Sequence, residues 1–172
     1  MKIFYTLAAA ALALSSPVHA GETQYTASNG VVVDVNSDEF AGRAEYSAPS
    51  IKLQGDVTGA ALVAIIKKAG TEGPLHVQGF AMYNGDWRYY DKAVFRGGES
   101  VNFTRTHSNV GSCRYGCTLT EGFNFQITPE QLAKYSEGGV VTIQVRSAKT
   151  TKHYLIEMPV SYFDAVREAT QS

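Results

Sequence analysis

Apolar residues recur at every second position through most of the chain, the spacing of strands with one buried and one solvated face. Val31, Val33 and Val35 form one such set, and Ile51, Leu53, Gly55 and Val57 form the next. Ala61 to Lys68 is too short and too rich in Val63, Ile65 and Ile66 for a helix. It reads as a strand, turned at Ala69 to Pro74 and paired in a hairpin with Leu75 to Tyr83. Asn84-Gly85-Asp86 has the residues of a tight hairpin turn, which predicts a partner strand from Trp87 to Phe95. On that strand the alternation puts Trp87, Tyr89, Ala93 and Phe95 in the core and Arg88, Tyr90, Lys92 and Arg96 in solvent.

Further strands are expected over Ser100 to Thr106, at Phe123, Phe125 and Ile127, at Val141, Ile143 and Val145, and from His153 to Pro159 with Tyr154, Ile156 and Met158 inward. Ser37 to Pro49 shows no clear alternation and reads as the longest loop. One short helix is expected near residues 129 to 136. Thr128 is its cap, Pro129 stands where a missing amide costs nothing, Gln131 closes a capping box, and Glu137-Gly138-Gly139 ends it. Ser161 to Ala169 reads as a terminal helical turn. Eight or nine short strands with glycine turns predict an all-β protein, with a two-sheet antiparallel sandwich of immunoglobulin-like topology as first choice and a partly closed barrel as second.

Residues 1 to 20 stand apart from this pattern. Lys2, an apolar run from Ile3 to Leu14, a break at Ser15-Ser16-Pro17 and small residues at Val18 and Ala20 compose a cleaved export signal. The run is too short to span a membrane, a length of about 20 residues. A single mature domain, 21 to 172, is expected in the periplasm or the medium, with no transmembrane segment. In an oxidising compartment Cys113 and Cys117, the only two cysteines, are expected to form a disulfide closing a very small loop. The net charge of −1, from 15 basic and 16 acidic residues, offers no excess for a polyanion, and nucleic acid is not expected as a partner.

Catalytic fingerprints for nucleotide, serine-hydrolase and zinc-protease chemistry are missing from the sequence, and no cofactor or metal is expected. His76 and His153 are out of phase with their inward neighbours and are read as solvated. His107 precedes the cysteine loop, where its imidazole would titrate near neutral pH. Arg105 and Arg114 flank the same region and, beside Tyr115, offer forked donors to a carboxylate or phosphate. Glu121 is expected to pair with one of these arginines. Arg105, His107, Arg114, Tyr115 and Glu121 are therefore the candidate binding residues, with no catalytic set nominated. Trp87, Tyr89 and Tyr90 beside Asp86 and Asp91 could compose a sugar platform, with Tyr90 the surface member.

The leading expectation is an exported noncatalytic β-domain that binds a protein or a cell-envelope component, an exposed sheet edge being one means of capture. A small extracellular or periplasmic enzyme using a site near His107 is the alternative. A small-ligand or carbohydrate-binding protein is the second.

Overall fold

The computed structural model describes residues 21 to 172 apart from Ser112 and Tyr115; the expected signal peptide lies outside the described residues. The first half of the chain forms β1 (Gly21–Thr26), β2 (Val32–Asp38), β3 (Arg43–Ser47), β4 (Ile51–Lys52), β5 (Gln54–Gly55), β6 (Thr58–Lys68), β7 (Thr71–Glu72) and β8 (His76–Asn84). The second half forms β9 (Tyr90–Phe95), β10 (Ser100–Val110), β11 (Thr118–Gln126), α1 (Pro129–Tyr135), β12 (Ser136–Glu137), β13 (Val140–Ser147), β14 (His153–Pro159) and α2 (Val160–Thr170).

The strands pair antiparallel in the order β1-β2-β3-β6-β8-β11-β10-β9-β13-β14-β5. Ile51 and Lys52 pair with Ala61 and Ala60 of β6, while Gln54 and Gly55 pair with Leu155 and Tyr154 of β14. That five-residue segment joins regions far apart in the strand order. The result is a mostly β chain curled into a half-barrel. The all-β expectation holds, and two stacked immunoglobulin-like sheets are not confirmed: β10 pairs with both β11 and β9 and carries the hydrogen-bond ladder around the curve.

Curling needs places where backbones approach closely. Gly79 lies between Ala61 and Phe123 in the pairing, and a Cβ there would overlap the Ala60 carbonyl oxygen and lie 2.8 Å from the Phe123 ring. A Cβ on Gly59 would likewise overlap the carbonyl oxygen of Phe80. Glycine in a strand interior commonly marks such a bend.

The inner face follows the alternation read from the sequence: Val63 and Ile65, Val77 and Ala81, Phe123 and Phe125, Val141, Ile143 and Val145, and Tyr154, Ile156 and Met158 are buried in one cluster. The hairpin of β6 with β8 is also as expected. The supposed loop from Ser37 to Pro49 instead contains β3, held between β2 and β6; its half-buried residues lack the sharp alternation of a central strand. The predicted C-terminal turn is a full helix, α2, which buries Phe163, Ala165, Val166 and Ala169. Glu168 fastens it to the first hairpin by accepting from the Ser28 amide at 2.9 Å, the Ser28 hydroxyl at 2.6 Å and the Tyr25 hydroxyl at 2.9 Å.

α1 forms where its capping box predicts, with the Thr128 and Gln131 side chains and backbones bonded reciprocally. It docks by stacking Tyr135 on Phe95, with ring centroids 4.5 Å apart. Glu99 completes the dock, accepting from the Tyr135 hydroxyl, from Lys134 Nζ at 2.9 Å and from Gln131 Nε2 at 3.3 Å. These donors, Tyr135 foremost, hold the Glu99 carboxyl down at about 2. A folded value below the unfolded one, ~4.3, means the stabilisation is complete above that pH and is lost as pH falls toward 2. We expect an acid titration followed by the Tyr135 ring resonances to show α1 loosening between pH ~4.5 and ~2. In Glu99→Gln that step should vanish, and an unchanged acid profile in the variant would assign it elsewhere.

Candidate functional site

The site is built around a carboxylate in the core. On β11 the residues facing inward are Leu119, Glu121, Phe123 and Phe125, so period-two geometry carries Glu121 inside the half-barrel, where it is 2% exposed. It is the one buried acidic residue among the described residues. One oxygen accepts from the Tyr83 hydroxyl and from the Tyr89 amide at 2.9 Å; the other accepts from the Tyr90 amide at 2.8 Å. Arg105 Nε stands 3.7 Å away. Four groups thus satisfy the charge that burial would otherwise penalise.

Arg88 extends the network. The residue is 7% exposed; its guanidinium lies 4.3 Å over the Tyr83 ring and donates to the Tyr90 hydroxyl at 3.2 Å, the Asp56 carbonyl at 2.5 Å and the Asp56 carboxylate at 2.9 Å. Its own amide donates to the Tyr83 hydroxyl at 3.1 Å. Lys152 shares the Asp56 carboxylate at 3.0 Å, and hydrogen bonding from Lys152 together with the charge of Arg88 lowers the Asp56 pKa. Burial raises the pKa of Tyr83, Tyr90 and Tyr154, and the Glu121 carboxylate raises Tyr83 further. Tyr83 therefore remains a donor to Glu121 across the neutral range. Above this network opens a cavity of ≈ 690 Å³ lined by Asp56, Asn84, Asp86, Trp87, Arg88 and Thr150, among others.

Glu121 also fixes the path of the chain between β8 and β9. β8 pairs with β11 rather than with β9, so Asn84-Gly85-Asp86 does not close the expected hairpin. Gly85 does take a positive φ of 105°, but the chain then crosses to the far side of β10. The crossing ends at Tyr89 with φ 55°, an uncommon conformation for a residue with a side chain, and the amides of Tyr89 and Tyr90 both point at Glu121. Arg146 pairs with Lys92 while Ser147 pairs with Tyr90, leaving Asp91 as a bulge. Together the turn and the bulge exchange the expected faces of Arg88, Tyr89 and Tyr90, while Trp87 stays half-buried against the core. Tyr90 is 1% exposed, Arg88 is buried, and Tyr89 is 39% exposed.

The chain matches no family model, no curated protein and no solved structure.

Of the residues singled out from sequence, Arg105 and Glu121 come together. Arg105 also donates through Nε and NH2 to the Tyr90 carbonyl at 3.3 and 3.1 Å. It does so where the β9–β10 ladder, formed by Ser100 with Val94 and Val101 with Ala93, has ended. A side chain there replaces backbone pairing across a seam. His107 lies on the other face: it pairs with Gly122, its ring occupies the space a Cβ on that glycine would take, and it borders an outer groove of ≈ 450 Å³ with Ala60, Leu62 and Phe80. The sheet separates His107 from Glu121. Cys113 and Cys117 are bonded as expected, Arg114 is exposed in the loop they close, and Tyr115 lies outside the described residues.

His76 is buried rather than solvated, with Nδ1 3.2 Å from the Pro74 carbonyl, whereas His153 is exposed as expected. Residues missed from sequence are Tyr83, Arg88 and Asp56, whose partners are brought in by pairing between distant segments. Glu121 carried a legible signal, a carboxylate in phase with Leu119, Phe123 and Phe125. Among the described residues no three His, Cys, Asp or Glu side chains group as metal ligands, and no helix is long and apolar enough to cross a membrane.

Proposed function

We propose that the chain is an exported, noncatalytic β-domain that binds a cell-envelope component through the loop Gly85 to Tyr89. One observation carries this reading: the buried carboxylate of Glu121 is occupied by the amides of Tyr89 and Tyr90 and the hydroxyl of Tyr83. A carboxylate so engaged serves as an anchor rather than as an acid or base, and what it anchors is a loop with an exposed aromatic in a costly backbone conformation. Such conformations persist where the surroundings hold them, and they concentrate at ligand-binding sites. The disulfide between Cys113 and Cys117 is in keeping with an oxidising compartment and supports export. An enzymatic site near His107 would need that imidazole, Arg105 and Glu121 in one cleft, and the sheet lies between them.

Sedimentation of the mature protein with washed bacterial envelope fragments tests the reading. The protein should pellet with the fragments, and Tyr89→Gly, which suits the positive φ while removing the ring, should stay in the supernatant with its fold intact. Wild-type protein remaining in the supernatant, or a variant that pellets equally, would overturn the assignment.

A further inference from the structure

Trp87 and Tyr89 form a tilted pair with ring centroids 6.5 Å apart at 37°. Two cations flank the exposed Tyr89 ring: Lys149 Nζ at 4.5 Å from its centroid and Arg105 Cζ at 5.8 Å. Lys149 makes no ion pair among the described residues. The nearby carboxylate of Asp91 is engaged with the Ala148 amide at 3.0 Å, which positions the turn carrying Lys149. On the other side Trp87 borders the ≈ 690 Å³ cavity, whose rim offers Asn84, Asp86, Thr150 and Thr151. There Arg88 and Lys152 share the Asp56 carboxylate, and Asp86 supplies a second negative charge to the cavity lining. Charge is therefore unequal across the aromatic pair, with the uncommitted cation on the Tyr89 side.

From this arrangement we propose that Trp87, Tyr89, Lys149 and Arg105 form a binding site for acidic saccharides. The inference rests on the envelope-binding reading and names its ligand class. Sugar rings present apolar C–H faces that pack on aromatic faces, and amide, carboxylate and hydroxyl groups suit their hydroxyls. One sugar unit packs on Trp87 at the cavity with its hydroxyls toward Asn84, Asp86 and Thr150. The adjoining unit crosses Tyr89 and presents its acidic group to Lys149 and the outer edge of Arg105. A neutral saccharide would leave those cations unused. A polyanion without sugar rings would leave the aromatic pair unused, and the chain's net charge of −1 gives it no general attraction.

Trp87 is the only tryptophan and so reports on the site directly. Its emission should be followed in the mature protein at constant ionic strength with oligogalacturonate, sulfated dextran, neutral dextran and polyglutamate. A saturable change is expected with one or both acidic saccharides, and which of them acts identifies carboxylate or sulfate-type esters as the preferred acid. Neutral dextran and polyglutamate should bind at least tenfold more weakly. Lys149→Ala should weaken acidic-saccharide binding by tenfold or more with unchanged thermal stability, and Tyr89→Gly should abolish it. Equal binding of neutral dextran, equal binding of polyglutamate, silence with both acidic saccharides, or an unaffected Lys149→Ala would each overturn the proposal. Envelope sedimentation that survives such a result would leave the broader reading standing with a different ligand.

Discussion

Replacing Glu121 by alanine is expected to cost about 4 kcal/mol, because it strands the Tyr83 hydroxyl and two amides inside the half-barrel and leaves Arg105 without its buried partner. Against a typical total of roughly 5–15 kcal/mol, that is enough to leave the protein marginal. Urea unfolding monitored by Trp87 emission measures it. Glu121→Gln keeps one acceptor but turns an NH₂ group toward a donor, so its loss should fall between wild type and alanine. The Trp87 spectrum of the folded variants should also shift to the red, since the loop displaying that residue is held through the neighbouring amides. A loss under about 1 kcal/mol for the alanine variant would mean that Glu121 is not the anchor.

The second large effect is expected at a glycine. In Gly79→Ala the new methyl group meets the Ala60 carbonyl and the Phe123 ring, with the Ala61 Cα 2.9 Å away. Two of those three neighbours are backbone atoms that cannot swing aside. The strands β6 and β8 would have to separate at the bend, at a cost of about 3 kcal/mol or more. Gly122→Ala is the control. Its closest neighbours are the His107 ring and the Thr106 hydroxyl, both ends of side chains on the outer face. Those can rotate into solvent, so this variant should lose far less in thermal unfolding. Equal losses at the two positions would show that curvature does not depend on the close approach at Gly79.

The two halves of the chain were unequally legible in its sequence. Val141, Ile143 and Val145 and, later, Tyr154, Ile156 and Met158 face the core as their alternation requires, because these strands run without interruption. The α1 capping box was readable for a similar reason, since all its partners lie within four residues. Between Asn84 and Phe95 local signals were sound and still misled. Gly85 does adopt the positive φ that its residue type permits, yet nothing local specifies which strand the chain joins next. The bulge at Asp91 and the positive φ of Tyr89 then break the alternation, so Tyr89 and Tyr90 exchange their expected roles. The same break in alternation carries Arg88 inside, where simple alternation places it in solvent. Its burial depends on Asp56, which is supplied by the segment bridging β6 and β14, a pairing between distant parts of the chain.

Between β9 and β10 the wall changes its fastening part-way along the strands. Ser100 with Val94 and Val101 with Ala93 are joined by backbone pairing, and beyond them side chains take over: the Arg105 guanidinium donates to the Tyr90 carbonyl and Glu121 accepts from the Tyr90 amide. A single long side chain can let go and rebind quickly, within the nanosecond range of rotamer changes, without disturbing the ladders on either side. Arg105 also flanks the Tyr89 ring, so a ligand that grips Arg105 from outside would compete with the Tyr90 carbonyl for its donors and be felt by the strand that follows the loop.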